Sequence, residues 1–150
     1  MPILSDKDKE HLRDTFQKDL VNDVKIILVS RLSDKPAEHG SECHYCPQTN
    51  ELFQEVASLS DKIKLELYDA VADKDKLQGL DVDDLPAIIF ARDGERNIRF
   101  YGIPAGNEFP NVLEAITHLS KGENALSPQS QEEVRKIDRD LHVRVFVTPT

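Results

Sequence analysis

Cys43-His44-Tyr45-Cys46 is the stretch that most restricts how this chain can fold. Its cysteines are the only two in 150 residues. An apolar run from Val24 to Leu32 precedes them, densest at Lys25-Ile26-Ile27-Leu28-Val29. A segment with helical spacing, Gln48 to Leu59, follows; Leu52, Val56 and Leu59 form its apolar stripe and Phe53 widens it. The helix is expected to start at Ser41 or Cys43, with Pro47 in its first turn. Two residues between cysteines at a helix start bring the sulfurs within disulfide reach. Unpaired N–H groups and the helix dipole there favour a thiolate at Cys43. Cys46, about one turn deeper, is expected to be shielded. A strand, a Cys-x-x-Cys pair and a helix in this order have the layout of a thiol–disulfide site. Cys43 is the candidate nucleophile and Cys46 the resolving thiol.

The bulk properties narrow the alternatives. Apolar residues make up 39% and charged residues 31%, a globular composition rather than a disordered one. The formal net charge is −9, which argues against nucleic acid, because phosphate binding needs clustered Lys and Arg. The start, Met1-Pro2-Ile3-Leu4-Ser5-Asp6-Lys7, has no apolar leader segment, and no stretch approaches membrane-spanning length. The expected compartment is the cytoplasm, with no membrane partner. A structural disulfide is unusual there, so the pair is expected to be catalytic or metal-binding.

The pattern predicts a helix over Ser5–Leu20, with Ser5 as N-cap and Leu12, Phe16 and Leu20 facing inward. Strands are predicted over Val24–Leu32, Ile63–Tyr68, Ala87–Phe90 and Ile98–Tyr101. Ser33–Glu42 reads as a loop, Asp73–Leu80 as a short helix, and Asp93-Gly94 as a hairpin turn. Glu108–Leu119 is a helix with Phe109, Val112, Leu113 and Ile116 on one face. The expected fold class is α/β: a central mixed sheet flanked by helices, with an extra N-terminal helix. Residues 1–122 form this domain. Residues 123–150 are expected to be a linker, a helix over Gln129–Arg139 capped by Ser127, and a strand over His142–Val147. This helix–strand extension echoes the start of the chain. The strand's valines are expected to pack on the domain or to pair with another chain as a dimer.

Cys43 to Pro47, together with Pro86 before a buried strand, resembles the thioredoxin/glutaredoxin superfamily. The match extends to the glutaredoxin-like protein disulfide oxidoreductases, built from two fused thioredoxin-like units. Leu4 to Lys9, Leu20-Val21-Asn22, Arg99 to Phe109 and Val145 to Thr150 are similar to the first unit and to the strand that opens the second. The resemblance implies a thioredoxin-like fold and a cis Leu85–Pro86 bond facing the cysteines. It implies that the backbone there pairs with an extended substrate and that Leu85 flanks the pair. The implied partners are protein dithiols or disulfides, with a thioredoxin-reductase-type enzyme or glutathione as electron donor and no bound cofactor. The loop 33–42 is longer than the family usually has. No second Cys-x-x-Cys follows, so the chain is expected to be either a two-unit protein cut short within its second unit or an isolated first unit.

Other readings stay open. His44, if protonated, would support the Cys43 thiolate, or it is a solvated surface residue; Tyr45 would shape the approach to it, or it is an aromatic packing on the loop. His39, Cys43, His44 and Cys46 could supply part of a zinc site, although a second Cys or His pair is missing. A thioredoxin-like module that holds peptides beside Pro86 without turnover is a third reading. Asp83 and Asp84 near Pro86 would favour basic partners. Asp69 is either buried or a cap on the next turn. No Gly-x-Ser-x-Gly elbow occurs, and Gly102 to Gly106 lacks the ending of a phosphate loop.

Overall fold

The computed structural model describes residues 2–32, 43–93 and 95–148. The predicted loop Ser33–Glu42, with His39 in it, and Gly94 of the predicted hairpin turn lie outside the described residues. Helix α1 spans Asp6–Asp19. Ser5 stands before it in an extended conformation, and its Oγ accepts from the Asp8 N–H at 3.2 Å. Such a cap contributes about 1 kcal/mol, and Asp6 and Asp8 in the first turn add to it through the dipole. Leu12, Phe16 and Leu20 are buried, as their spacing predicts.

Four strands follow: β1 (Val24–Ser30), β2 (Ile63–Asp69), β3 (Ala87–Arg92) and β4 (Glu95–Tyr101). The sheet order is β2-β1-β3-β4. β1 runs parallel to β2 and antiparallel to β3, and β3 is antiparallel to β4. The sheet is therefore mixed, with β1 central, which is why β1 reads as a continuous apolar run.

Alternation along β1 and β3 splits the core in two. Ile26, Leu28, Ile88 and Phe90 join the larger cluster, with Phe16 of α1, Phe53 and Val56 of α2 (Cys46–Ser58), and Val112 and Ile116 of α3 (Glu108–Lys121). Ile27, Val29, Ala87 and Ile89 face the other way, against Leu80 and the partly buried Leu77, Leu85 and Tyr101. The second face is thus covered by the connection between β2 and β3. The helix predicted over Asp73–Leu80 is only a 3-10 turn over Lys74–Leu77. Four of those eight positions carry charge, and Gly79 and Asp81 have φ of 81° and 46°. A segment with so few apolar anchors cannot offset helix nucleation.

Beyond α3, helix α4 spans Pro128–Arg135, shorter than the predicted Gln129–Arg139. Ser127 caps it as predicted, accepting from the Ser130 N–H at 3.1 Å. No residue of α4 is buried, so nothing beyond propensity extends it. The predicted strand over His142–Val147 is not formed: residues 141–148 carry no regular structure. A strand exists by virtue of a ladder partner, and the described sheet contains only β1 to β4. Val143, Val145 and Phe146 are left 77%, 79% and 90% exposed.

Two polar contacts tie distant parts of the chain together. Ser120 is fully buried; its Oγ accepts from the Val21 and Asn22 N–H groups at 2.9 and 3.0 Å and donates to the Asn22 carbonyl at 2.6 Å. Ser120→Ala should cost about 2 kcal/mol in a urea titration, because the Val21 N–H loses its acceptor and the Asn22 N–H keeps only a longer bond to the Ser120 carbonyl, at 3.3 Å. Glu55 of α2 accepts from the Ile3 and Leu4 N–H groups at 2.7 and 3.1 Å and pairs with Lys9 at 3.0 Å. Burial alone would raise its pKa. The Ile3 N–H, the Lys9 ammonium and the Leu4 N–H outweigh burial and hold it below the ordinary 4.5. A depressed carboxylate pKa stabilises the fold above the unfolded value and loses that contribution as pH falls through the folded one. Stability should therefore drop below about pH 4.5, and Glu55→Gln should flatten that part of the stability–pH curve.

Candidate functional site

The antiparallel pairing of β1 with β3 places Val29 opposite Ala87, so β3 begins where β1 ends. On the other side Ser30 pairs with Asp69, the last residue of β2. Helix α2 starts over the same end of the sheet. It begins at Cys46, not at Ser41 or Cys43. Pro47 gives the reason: in a helix started at Ser41 or Cys43, its ring would meet the carbonyl of Cys43, four residues back. At the second helical position it loses no bond. Residues 43–46 instead form a turn in which the Cys46 N–H donates to the Cys43 carbonyl at 3.3 Å.

The two sulfurs are joined, with S–S 2.05 Å and the Cα atoms 5.4 Å apart. Their surroundings differ. Cys46 is fully buried, and the Arg31 backbone N–H donates to its Sγ at 3.2 Å. Cys43 is half-buried and lines a groove of about 810 Å³. The more accessible cysteine is therefore the upstream one, and the downstream one is shielded.

Val29, Ala70, Leu77, Val82 and Leu85 form the apolar part of the groove. Among the described residues, Asp75, Asp81, Asp83 and Asp84 bring carboxylates to it, against one ammonium from Lys74. Pro86 is buried at the start of β3, and the Leu85–Pro86 bond is cis. The segment before it is fastened from β4. Arg99 Nη1 donates to the Asp81 carbonyl at 3.2 Å, the Asp83 N–H donates to the Tyr101 hydroxyl at 3.4 Å, and the Gly102 N–H donates to the Pro86 carbonyl at 2.9 Å. The Leu85 N–H is taken by Asp84 Oδ1 at 2.8 Å.

Cys43 and Leu85 thus share one groove, Cys46 lies buried at the start of α2, and Pro86 opens the strand beside β1. His44 and Tyr45 sit on the turn, exposed, and do not line the groove; Tyr45 is 58% exposed. Asp69 is both buried and a cap: it accepts from the Leu32, Val71 and Ala72 N–H groups at 2.7, 2.8 and 2.8 Å. Asp73 accepts the Asp69 N–H at 2.9 Å. Its pKa is lowered, first by the Lys76 ammonium and then by that N–H. Ser30 is buried beside these groups, and its Oγ has no hydrogen-bond partner among the described residues. No group of three His, Cys, Asp or Glu among the described residues could hold a metal ion. No helix among them is long and apolar enough to cross a membrane.

The sequence reading missed Arg99 and Tyr101 as the residues that position the segment before Pro86. Their alternation with Ile98 and Phe100 could have placed them on the groove face of β4. It also missed the Arg31 N–H, because a backbone donor leaves no side-chain signature.

This sheet and the Cys-x-x-Cys pair define a thioredoxin-like fold, the fold in which thiol–disulfide exchange proteins are built. Among solved structures, the chain is similar to a protein disulfide oxidoreductase from Aeropyrum pernix, at 26% identity and a TM-score of 0.73 over 88% of this chain and 54% of that one. It is also similar in fold to the NTD_N/C domain of alkylhydroperoxide reductase AhpF from Enterococcus faecalis, at 20% identity and a TM-score of 0.70 over 87% and 59% of the two chains. A thioredoxin variant from Halobacterium salinarum shares the fold at 15% identity and a TM-score of 0.50, over 84% of this chain and 91% of that one. The chain spans little more than half the length of the first two. No family model and no curated protein matches the sequence.

The fastening of the Asp81–Leu85 segment is testable. Arg99→Met should raise amide exchange at residues 81–85 by about tenfold, the effect of losing roughly 1.4 kcal/mol of hydrogen bonding. Unchanged exchange would show that Tyr101 and Asp84 hold the segment by themselves.

Proposed function

We propose that this chain is a protein thiol–disulfide oxidoreductase. The observation that carries the reading is the asymmetry of the pair: Cys43 opens onto a groove, while Cys46 is buried under a backbone N–H. In the reducing direction the Cys43 thiolate attacks a substrate disulfide. A mixed disulfide forms, and one substrate sulfur leaves as a thiolate that takes up a proton. Cys46 then loses its proton and attacks Cys43 Sγ, which releases the second substrate sulfur as a thiol. Two electrons pass from the dithiol to the substrate, and the enzyme ends as the disulfide seen here. A thioredoxin-reductase-type enzyme or glutathione would restore the dithiol.

The N–H of Arg31 favours negative charge on the Cys46 sulfur and so assists the second step. The open start of α2 lies beside Cys43 and favours its thiolate, and a protonated His44 would add to this. Leu85 walls the groove, its backbone pairs with an extended substrate segment once Asp84 Oδ1 releases the Leu85 N–H, and Tyr45 offers an exposed aromatic surface to it. Insulin reduction with a dithiol donor tests the assignment. Cys43→Ser should abolish turnover, and Cys46→Ser should accumulate a mixed disulfide that the wild type releases. Undiminished activity in Cys43→Ser removes the nucleophile from this account, and a trapped partner that the wild type also retains marks a binder without turnover.

Residues 123–148 read as the opening of a second thioredoxin-like unit, supported by the exposed apolar side chains of Val143, Val145 and Phe146. Paired with another strand, of a second unit or of a second copy, this segment would take up the strand that it does not form by itself. Sedimentation velocity should show a concentration-dependent dimer that Val145→Lys dissolves. A monomer at every concentration discards the pairing of copies.

A further inference from the structure

The groove beside Cys43 has one feature that disulfide exchange does not require: its charge. Asp75, Asp81, Asp83 and Asp84 line it, and Lys74 is the one cation among its described lining residues. The backbone that carries three of these aspartates is held in place. Arg99 and Tyr101 fix the backbone of Asp81 and Asp83, and Asp84 is bonded to the Leu85 N–H. The adjoining apolar surface from Val29, Ala70 and Leu85 suits the stem of a long side chain, whose charged end could then reach the rim.

A cation is already seated on that rim. Arg144, in the segment 141–148 without regular structure, places Nη2 3.3 Å from Asp83 Oδ2, across 61 positions of sequence. The neighbouring Val143 and Val145 are exposed, so apolar burial of those residues does not account for the segment's position. We propose that this groove selects protein substrates whose reactive cysteine lies in an extended segment carrying Lys or Arg, and that Arg144 occupies the same rim in cis and competes with them. The proposal rests on the oxidoreductase reading for its reactive centre, but its recognition step can be measured separately. The Arg144–Asp83 pair is more than half exposed on both sides, so the competition is weak, reversible and salt-sensitive.

The test uses disulfide-linked peptides of one sequence in which the two residues flanking the cysteine are Lys, Gln or Glu. At low salt, kcat/KM should fall in the order Lys, Gln, Glu, by about two- to fivefold per charge pair engaged, and the spread should shrink at high salt. Asp83→Asn alone should reduce the Lys-to-Glu ratio, and Asp81→Asn with Asp83→Asn and Asp84→Asn should bring it near unity. Arg144→Ala should lower KM for the Lys peptide about two- to fivefold and leave the Glu peptide's KM in place. Equal rates for the three wild-type reactions would overturn the selection, and an unchanged KM in Arg144→Ala would overturn the competition. If no peptide reacts, the oxidoreductase reading fails by itself. Fluorescence anisotropy with the same peptides carrying Ser for Cys then decides the recognition: charge-ranked binding supports it, and equal or absent binding overturns it.

Discussion

The pairing of β3 with β1, Val29 opposite Ala87, is the constraint on which the site depends. An antiparallel neighbour must begin where β1 ends, so the residues just before β3 arrive at the end of the sheet that holds Cys46. The Cys-x-x-Cys pair and Leu85–Pro86 are far apart in sequence, and no local interaction could join them. Eight buried or nearly buried apolar residues along the two strands, Ile26 to Val29 and Ala87 to Phe90, fix that register. A slip of one position would turn Ile26 and Leu28 away from the helices and set Ile27 and Val29 against them. Burial on both faces therefore locates the groove, although none of those core side chains except Val29 lines it.

The two core clusters divide the labour. The larger one takes its helical residues from α1, α2 and α3 and gives the sheet a rigid backing. The smaller one is roofed by the connection between β2 and β3, where a 3-10 turn, left-handed residues and polar caps replace a helix. That roof is held by hydrogen bonds from Asp69, Arg99 and Tyr101 more than by apolar area. A surface built this way carries its charges on backbone positions that are fixed, which is what a selective groove needs.

Much of this was legible in the residues. Ser5 and Ser127 announced their helices because capping is a local bond. The runs at Ile26 and Ala87 announced central strands because both faces of a central strand must be apolar. The cysteines and Pro86 stood out through spacing and resemblance. What failed to show itself was non-local. Pro47 does mark the helix start, but only when its clash with the Cys43 carbonyl is followed through. The strand expected at His142–Val147 has the right alternation, yet alternation states which side could be buried and not whether a ladder partner exists. Arg99 is marked only by its place in a stretch of resemblance, because its role is set by where the Asp81 carbonyl comes to rest.

The charge of the chain gains meaning from this arrangement. A net charge of −9 spread evenly would repel acidic partners from every side without choosing an orientation. Carboxylates carried on a fixed backbone beside Cys43 do more: they favour cations at the sulfur proposed to react. Because the carboxylates belong to the roof and the sulfur to the turn before α2, their distance is governed by the β1–β3 register and not by the local loop sequence. A change in that register would move the charge away from the reactive atom even if every aspartate were retained. In the proposed reading, selectivity and reactivity are consequently coupled through the core, and the apolar residues of β1 and β3 serve recognition as much as the aspartates do.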